Sequence, residues 1–94
     1  APYPGIERDI SFIIDKKINY DDIENSIRKV SGTLLKDISL FDLYEGVGIE
    51  KNQHSLALSF TFKSEQRTLV DGDVDDIMKA IINTLKDKYN IVQR

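Results

Sequence analysis

Residues 54–63 read His-Ser-Leu-Ala-Leu-Ser-Phe-Thr-Phe-Lys, and their alternation decides the fold. Leu56, Leu58, Phe60 and Phe62 alternate with Ser55, Ala57, Ser59 and Thr61. Successive side chains of a strand point to opposite faces, so one face here is apolar and the other small and mostly hydroxylic. A sheet built around such a strand is covered on one side and left open on the other, as antiparallel sheets commonly are.

Upstream, residues 35–47 also have strand character, with Gly46 and Gly48 marking a turn before the next strand. Phe41 and Leu43 read as a core pair, which places Asp42 and Tyr44 on the open face. Ile38 and Leu40 have the opposite parity, so a bulge is expected near Ser39-Leu40. In residues 8–15, Ile10, Phe12 and Ile14 point one way and Asp9, Ser11, Ile13 and Asp15 the other. Residues 21–31 lie between these strands and place Ile23, Ile27 and Val30 on one helical face. Asp21 with Glu24 would cap the helix start, and Gly32 would end it. Downstream, Asp71-Gly72-Asp73 opens a second helix, with acids favourable at its N-terminus. Val74, Ile77, Met78, Ile81, Ile82, Leu85 and Tyr89 carry its apolar stripe. Asn90 is a fitting left-handed stop, and residues 91–94 complete a short last strand. Residues 1–7 hold both prolines and no methionine, the pattern of a linker tail. The expected organisation is a linker remnant at 1–7 and one domain at 8–94, cut from a longer protein.

The element order β-α-β-β-α-β is that of a ferredoxin-like α+β sandwich: a four-stranded antiparallel sheet with two helices on one face. With 94 residues, 31% of them charged and 40% hydrophobic, the chain is one small domain of ordinary composition. No run approaches a membrane span. Cysteine is absent, which rules out disulfides, thiolate metal sites and a cysteine nucleophile. The formal charge of −3 argues against indiscriminate nucleic-acid binding and so against DNA, because phosphate contacts need a basic surface. It leaves room for a shape-directed contact with single-stranded RNA bases, which depends on stacking and hydrogen bonds. The open face offers such a platform: Tyr44 to stack a base, Asp42 and hydroxyls to bond base edges, and Ser55 and Ala57 to allow close approach.

Catalytic chemistry finds no foothold. His54 is the single histidine, and Ser55 beside it faces the other way in a strand. Asp71, Asp73, Asp75 and Asp76 lack calcium-loop spacing. Gly46-Val47-Gly48 is too short for a nucleotide fingerprint. Neither a catalytic residue nor a metal ligand is expected.

Four segments resemble the ferredoxin-fold anticodon-binding domain at the C-terminus of the phenylalanyl-tRNA synthetase β subunit. They are Arg8-Asp9-Ile10, Leu40-Phe41-Asp42-Leu43-Tyr44-Glu45-Gly46, Ser55-Leu56-Ala57-Leu58-Ser59-Phe60, and Arg67-Thr68-Leu69 with Asp71. The chain departs from the family pattern at Val70, where threonine is usual and where the cap would pass to Asp71, and also at His54 and Asn90. The resemblance implies an RNA-binding domain rather than an enzyme in itself. Its parent couples phenylalanine to tRNA-Phe with ATP and magnesium, in the cytoplasm, as an α2β2 tetramer. This domain would carry no cofactor of its own, and its partners would be tRNA-Phe, the rest of the β subunit and the α subunit. The implied contacts are Tyr44, Ser55 and Ala57, with Asp9, Ser11 and Asp42, and with Arg8, Arg67 and Arg94 toward phosphate. Asp42 could instead pair with Arg8 across neighbouring strands. The alternative is a ferredoxin-like regulatory or docking module with no RNA contact.

Overall fold

The computed structural model describes residues 3–94. Its elements are β1 (Ile6–Asp15), α1 (Tyr20–Ser31), β2 (Leu35–Tyr44), β3 (Gln53–Phe62), α2 (Asp71–Tyr89) and β4 (Val92–Gln93). The strands form one antiparallel sheet in the order β2-β3-β1-β4. This is the expected ferredoxin-like arrangement.

The alternation in β3 sets the register. Leu56, Leu58, Phe60 and Phe62 pair with Phe12, Ile10, Arg8 and Ile6 on β1, so the two apolar sets share a face. On that face they join Ile23 and Ile27 of α1 and Val74, Met78, Ile81 and Leu85 of α2 in one core. Phe12, Phe60, Phe62, Ile27, Val74, Ile81 and Leu85 are fully buried. Burial of each side chain of this size contributes about 1.5–3 kcal/mol. Among the described residues, no buried side-chain polar atom lacks a partner. Residues 3–94 thus enclose a core of their own, which is what an independently folding unit requires.

Several local expectations are corrected. β1 starts at Ile6, so Ile6 and Glu7 belong to the sheet, paired with Phe62 and Thr61. Helix α1 is capped by Asn19, whose side chain accepts the Asp21 N–H at 2.8 Å, and not by Asp21 with Glu24. Glu24 instead accepts from Arg28 one turn later, at 3.3 Å. Val30 lies 37% exposed, off the core face, while Ser26 and Ser31 are buried with their hydroxyls bonded to Tyr89 Oη and Ile27 O. Gly32, with φ 66°, ends α1 as expected. The cap of α2 is Val70, not Asp71; Asp73 reaches back to accept the Val70 N–H at 2.8 Å. Asn90 closes α2 in the left-handed region, φ 54°, with its N–H donated to Lys86 O.

The largest correction concerns β2. The strand ends at Tyr44, and its pairing with β3 slips twice, once at Lys36 and once at Phe41. The second slip sits one residue beyond the expected bulge, and it reverses the assignment of Phe41. Leu40 pairs with Leu58 and Leu43 with Leu56, so both lie on the helix face. The helices do not reach that end of the edge strand, so Leu40 stays 39% and Leu43 49% exposed. Phe41 is the extra residue, 56% exposed, and turns to the open face beside Ser39 and Ser59.

Candidate nucleic-acid interface

The register lays out the open face in rows running from β2 across β3 to β1. Asp37, Thr61 and Glu7 form the first row, and Ser39, Ser59 and Asp9 the second. Asp42, Ala57 and Ser11 form the third. Tyr44, Ser55 and Ile13 form the fourth, extended onto β4 by Val92. Asp42 thus has a simple account: the bulge keeps it and Tyr44 together on the solvent side of the sheet. It has no Arg8 beside it. Arg8 pairs with Phe60, on the helix face, and its guanidinium donates to Asp71 at 3.1 Å and Asp75 at 3.2 Å.

Tyr44 is held on three sides. Its hydroxyl donates to Val47 O at 3.2 Å. Gly46 lies against the ring with φ 144°, and a Cβ there would stand 3.1 Å from the tyrosine oxygen. The Arg94 guanidinium carbon lies 5.5 Å from the ring centroid, within cation–π range. Arg94 is anchored by its backbone N–H, which donates to Ser11 O at 2.8 Å. The Arg94 side chain from beyond β1 and the Tyr44 ring from β2 thus meet over the sheet, with β1 and β3 between their backbones. Ser55 and Ala57, small residues of the central strand β3, are only 5% and 8% exposed.

The three arginines named from the sequence part company here. Arg94 lies on the open face, and no carboxylate among the described residues pairs with it. Arg8 is spent on Asp71 and Asp75, whose hydrogen bonds, Asp71 first, raise its pKa. Arg67 grips Asp73 at 2.7 Å and 3.3 Å, which raises its own pKa. The same contact, with the Val70 N–H, holds the Asp73 carboxyl below its ordinary range. Both pairs stitch the start of α2 in place, and neither faces Tyr44. Behind Tyr44, Glu45 pairs with Lys16 and is pushed below the usual carboxylate range by that contact. His54 pairs with Ile14, on the face opposite Ser55.

Sequence reasoning missed Phe41. Its signal was the parity conflict between Ile38-Leu40 and Phe41-Leu43, which called for a bulge; only the position of the slip decides which way the ring turns. A groove of about 380 Å³ beside it is lined by Glu7, Asp9, Asp37, Ser39, Ser59 and Thr61. A larger groove, about 730 Å³, lies between the helices. Part of its polar lining is already paired: Lys88 donates to Ser26, Ser26 bonds Tyr89, and Tyr89 donates to Asp22 O.

A one-sided sheet bearing an exposed tyrosine, small hydroxyls and one unpaired arginine has the makings of a single-strand RNA platform. Comparison with known proteins gives the family. The sequence pattern described as "Ferredoxin-fold anticodon binding domain" matches residues 1–94, and the chain belongs to that family. It is 39% identical over 90 residues to the phenylalanine–tRNA ligase β subunit of Pseudoalteromonas translucida, covering 96% of this chain and 11% of that protein. The β subunit of Bacteroides fragilis is 38% identical over 88 residues, 94% of this chain and 11% of its own. That of Listeria monocytogenes is 38% identical over 92 residues, 98% and 12%. The chain therefore spans about one ninth of the length of these relatives.

Proposed function

We propose that this chain is the anticodon-reading domain of a phenylalanine–tRNA ligase β subunit, and that it meets the anticodon of tRNA-Phe through the open face of its sheet. The observation that carries this reading is Tyr44, an aromatic ring fixed on a one-sided sheet between an unpaired arginine and small side chains. A nucleobase stacks on Tyr44. Asp42 and the Ser55 hydroxyl accept from its edge, and Ala57 leaves room for it. Arg94 gives up the ring face and turns to a phosphate, and Asp9 and Ser11 flank the path. Arg8 and Arg67 hold helix α2 and take no part in phosphate contact. The domain performs no chemistry and needs no cofactor. The aminoacylation, with its ATP and magnesium, belongs to the rest of the parent, an α2β2 assembly of the cytoplasm. Among the described residues no helix is long and apolar enough to cross a membrane.

The test is an NMR titration of the labelled domain with the anticodon stem-loop of tRNA-Phe at low salt, against a stem-loop of scrambled loop sequence. The expected result is shifts at Tyr44, Ser55 and Ala57 with the first RNA only. Base–aromatic stacking is worth about 1–3 kcal/mol, so Tyr44→Ala weakens binding by roughly 5- to 150-fold. Equal shifts with both RNAs, or unchanged affinity in Tyr44→Ala, would favour a docking module that does not read RNA.

A further inference from the structure

We propose that Phe41 is a second base-stacking platform, and that the carboxylates beside it admit a base carrying an exocyclic amine. The inference rests on the open face being the RNA surface. It begins with the bulge. In a regular strand, alternate residues share a face, so Asp42 and Tyr44 could be open only with Phe41 turned inward. The slip at Phe41 lifts that restriction: Phe41, Asp42 and Tyr44 all lie on the open face, while Leu43 stays on the helix side. A bulge leaves its extra residue unpaired in the ladder. Here it delivers a second aromatic ring, 56% exposed, to the same surface as Tyr44.

The surroundings of Phe41 set what the ring can hold. Glu7, Asp9 and Asp37 reach the groove from both flanking strands, together with Ser39, Ser59 and Thr61. Ionised carboxylates accept hydrogen bonds and donate none. They also repel phosphate. A ligand on Phe41 must therefore be flat, bring N–H donors to its edge and keep its phosphates away. Adenine, cytosine and guanine carry such an amine; uracil does not. An arginine side chain from a protein has the same donors. Continuity favours the base: Asp42 joins the two rings, which stand three residues apart on one strand and open to one face. The phosphates then run on the Arg94 side, where a guanidinium unpaired among the described residues lies on this face.

The experiment measures affinities of the 94-residue chain for the tRNA-Phe anticodon stem-loop and for a series in which each loop base in turn becomes uridine. The unsubstituted protein, Phe41→Ala and Phe41→Leu are compared, with Phe41 ring resonances followed by NMR. Phe41 is exposed, so both variants are expected to keep the fold, which their amide spectra check. The expected result is one loop position where uridine weakens the unsubstituted protein about tenfold and weakens neither variant further, with the Phe41 ring signals moving as RNA is added. The idea is overturned if Tyr44 responds and Phe41 does not, or if the uridine series costs all three proteins alike. It is also overturned if Phe41 responds to an arginine-rich peptide and not to RNA. If neither ring responds to any stem-loop, it is the RNA reading of the whole face that falls.

Discussion

Phe41 and Phe60 lie only 19 positions apart and carry the same side chain, yet their environments are opposite. Phe60 is fully buried and Phe41 is 56% exposed. Truncating a buried phenylalanine removes its transfer energy and leaves a cavity, so Phe60→Ala should cost about 3–5 kcal/mol in urea unfolding. Phe41→Ala should stay within about 0.5 kcal/mol of the parent, as surface substitutions do. A large loss at Phe41 would return it to the core and remove the second platform. Gly46 is the other residue on which the face depends. Its φ of 144° is one that L side chains rarely adopt, and an added Cβ would crowd the Tyr44 oxygen. Gly46→Ala should cost about 1–3 kcal/mol of backbone strain and displace the Tyr44 ring. Thermal unfolding and the Tyr44 ring shifts would report the two effects separately; unchanged values for both would show that the turn relaxes freely.

At the scale of elements, the start of α2 is the part most dependent on charge. Val70 has no side-chain acceptor, so the helix entry relies on Asp73 accepting the Val70 N–H while Arg67 holds the carboxylate. The Asp73 carboxyl titrates below its ordinary range in the folded protein. Such a group binds its proton less readily when folded. The stability it contributes is full above the unfolded value, about 3.9 for aspartate, and is lost as the pH falls through the lowered folded value. Asp73→Asn should therefore lower the melting temperature at neutral pH, and the gap to the parent should close in acid. A gap that is the same at about pH 3 as at pH 7 would mean that this carboxylate acts by shape alone. The elements also show how much of the fold was readable. The periods of β1, β3 and α2 appear in the sequence because each buries one face uniformly. The caps were harder: Asn19 and Val70 were chosen by where the chain turns, with Asp21 two residues beyond the first and Asp71, a better capping residue, next to the second. The edge strand β2 was hardest, because the helices leave its far end uncovered and its apolar residues lose their meaning as core markers there.

For the whole molecule, the sorting of its arginines matters more than its net charge of −3. Arg8 and Arg67 are consumed on the helix side, and Arg94 alone of the three faces the sheet surface. Each phosphate neutralised on a single strand contributes a slope of about −0.7 in log K against log salt. Binding of the anticodon stem-loop should thus depend only weakly on salt, with a slope near −0.7, and Arg94→Ala should bring it toward zero. A slope several times steeper would mean that lysines outside the open face carry the RNA.

The sequence by itself determined the order of elements, the one-sided sheet, the core residues of β1, β3 and α2 and the family, because these rest on local periods and on motifs read along the chain. It also placed Asp42, Tyr44, Ser55 and Ala57 on one surface, since parity alone puts them there. The tertiary structure decided what parity cannot reach. The bulge falls at Phe41 because β2 must match β3 at both ends while carrying one residue too many between Leu40 and Asp42. Arg8 and Arg67 turn to the helix side because the acids at the start of α2 pack against them. Arg94 meets Tyr44 because β4 pairs with β1, so the two long side chains approach each other over the sheet with β1 and β3 between their backbones. These are pairings between residues far apart in the chain, and only the closed sheet sets their partners.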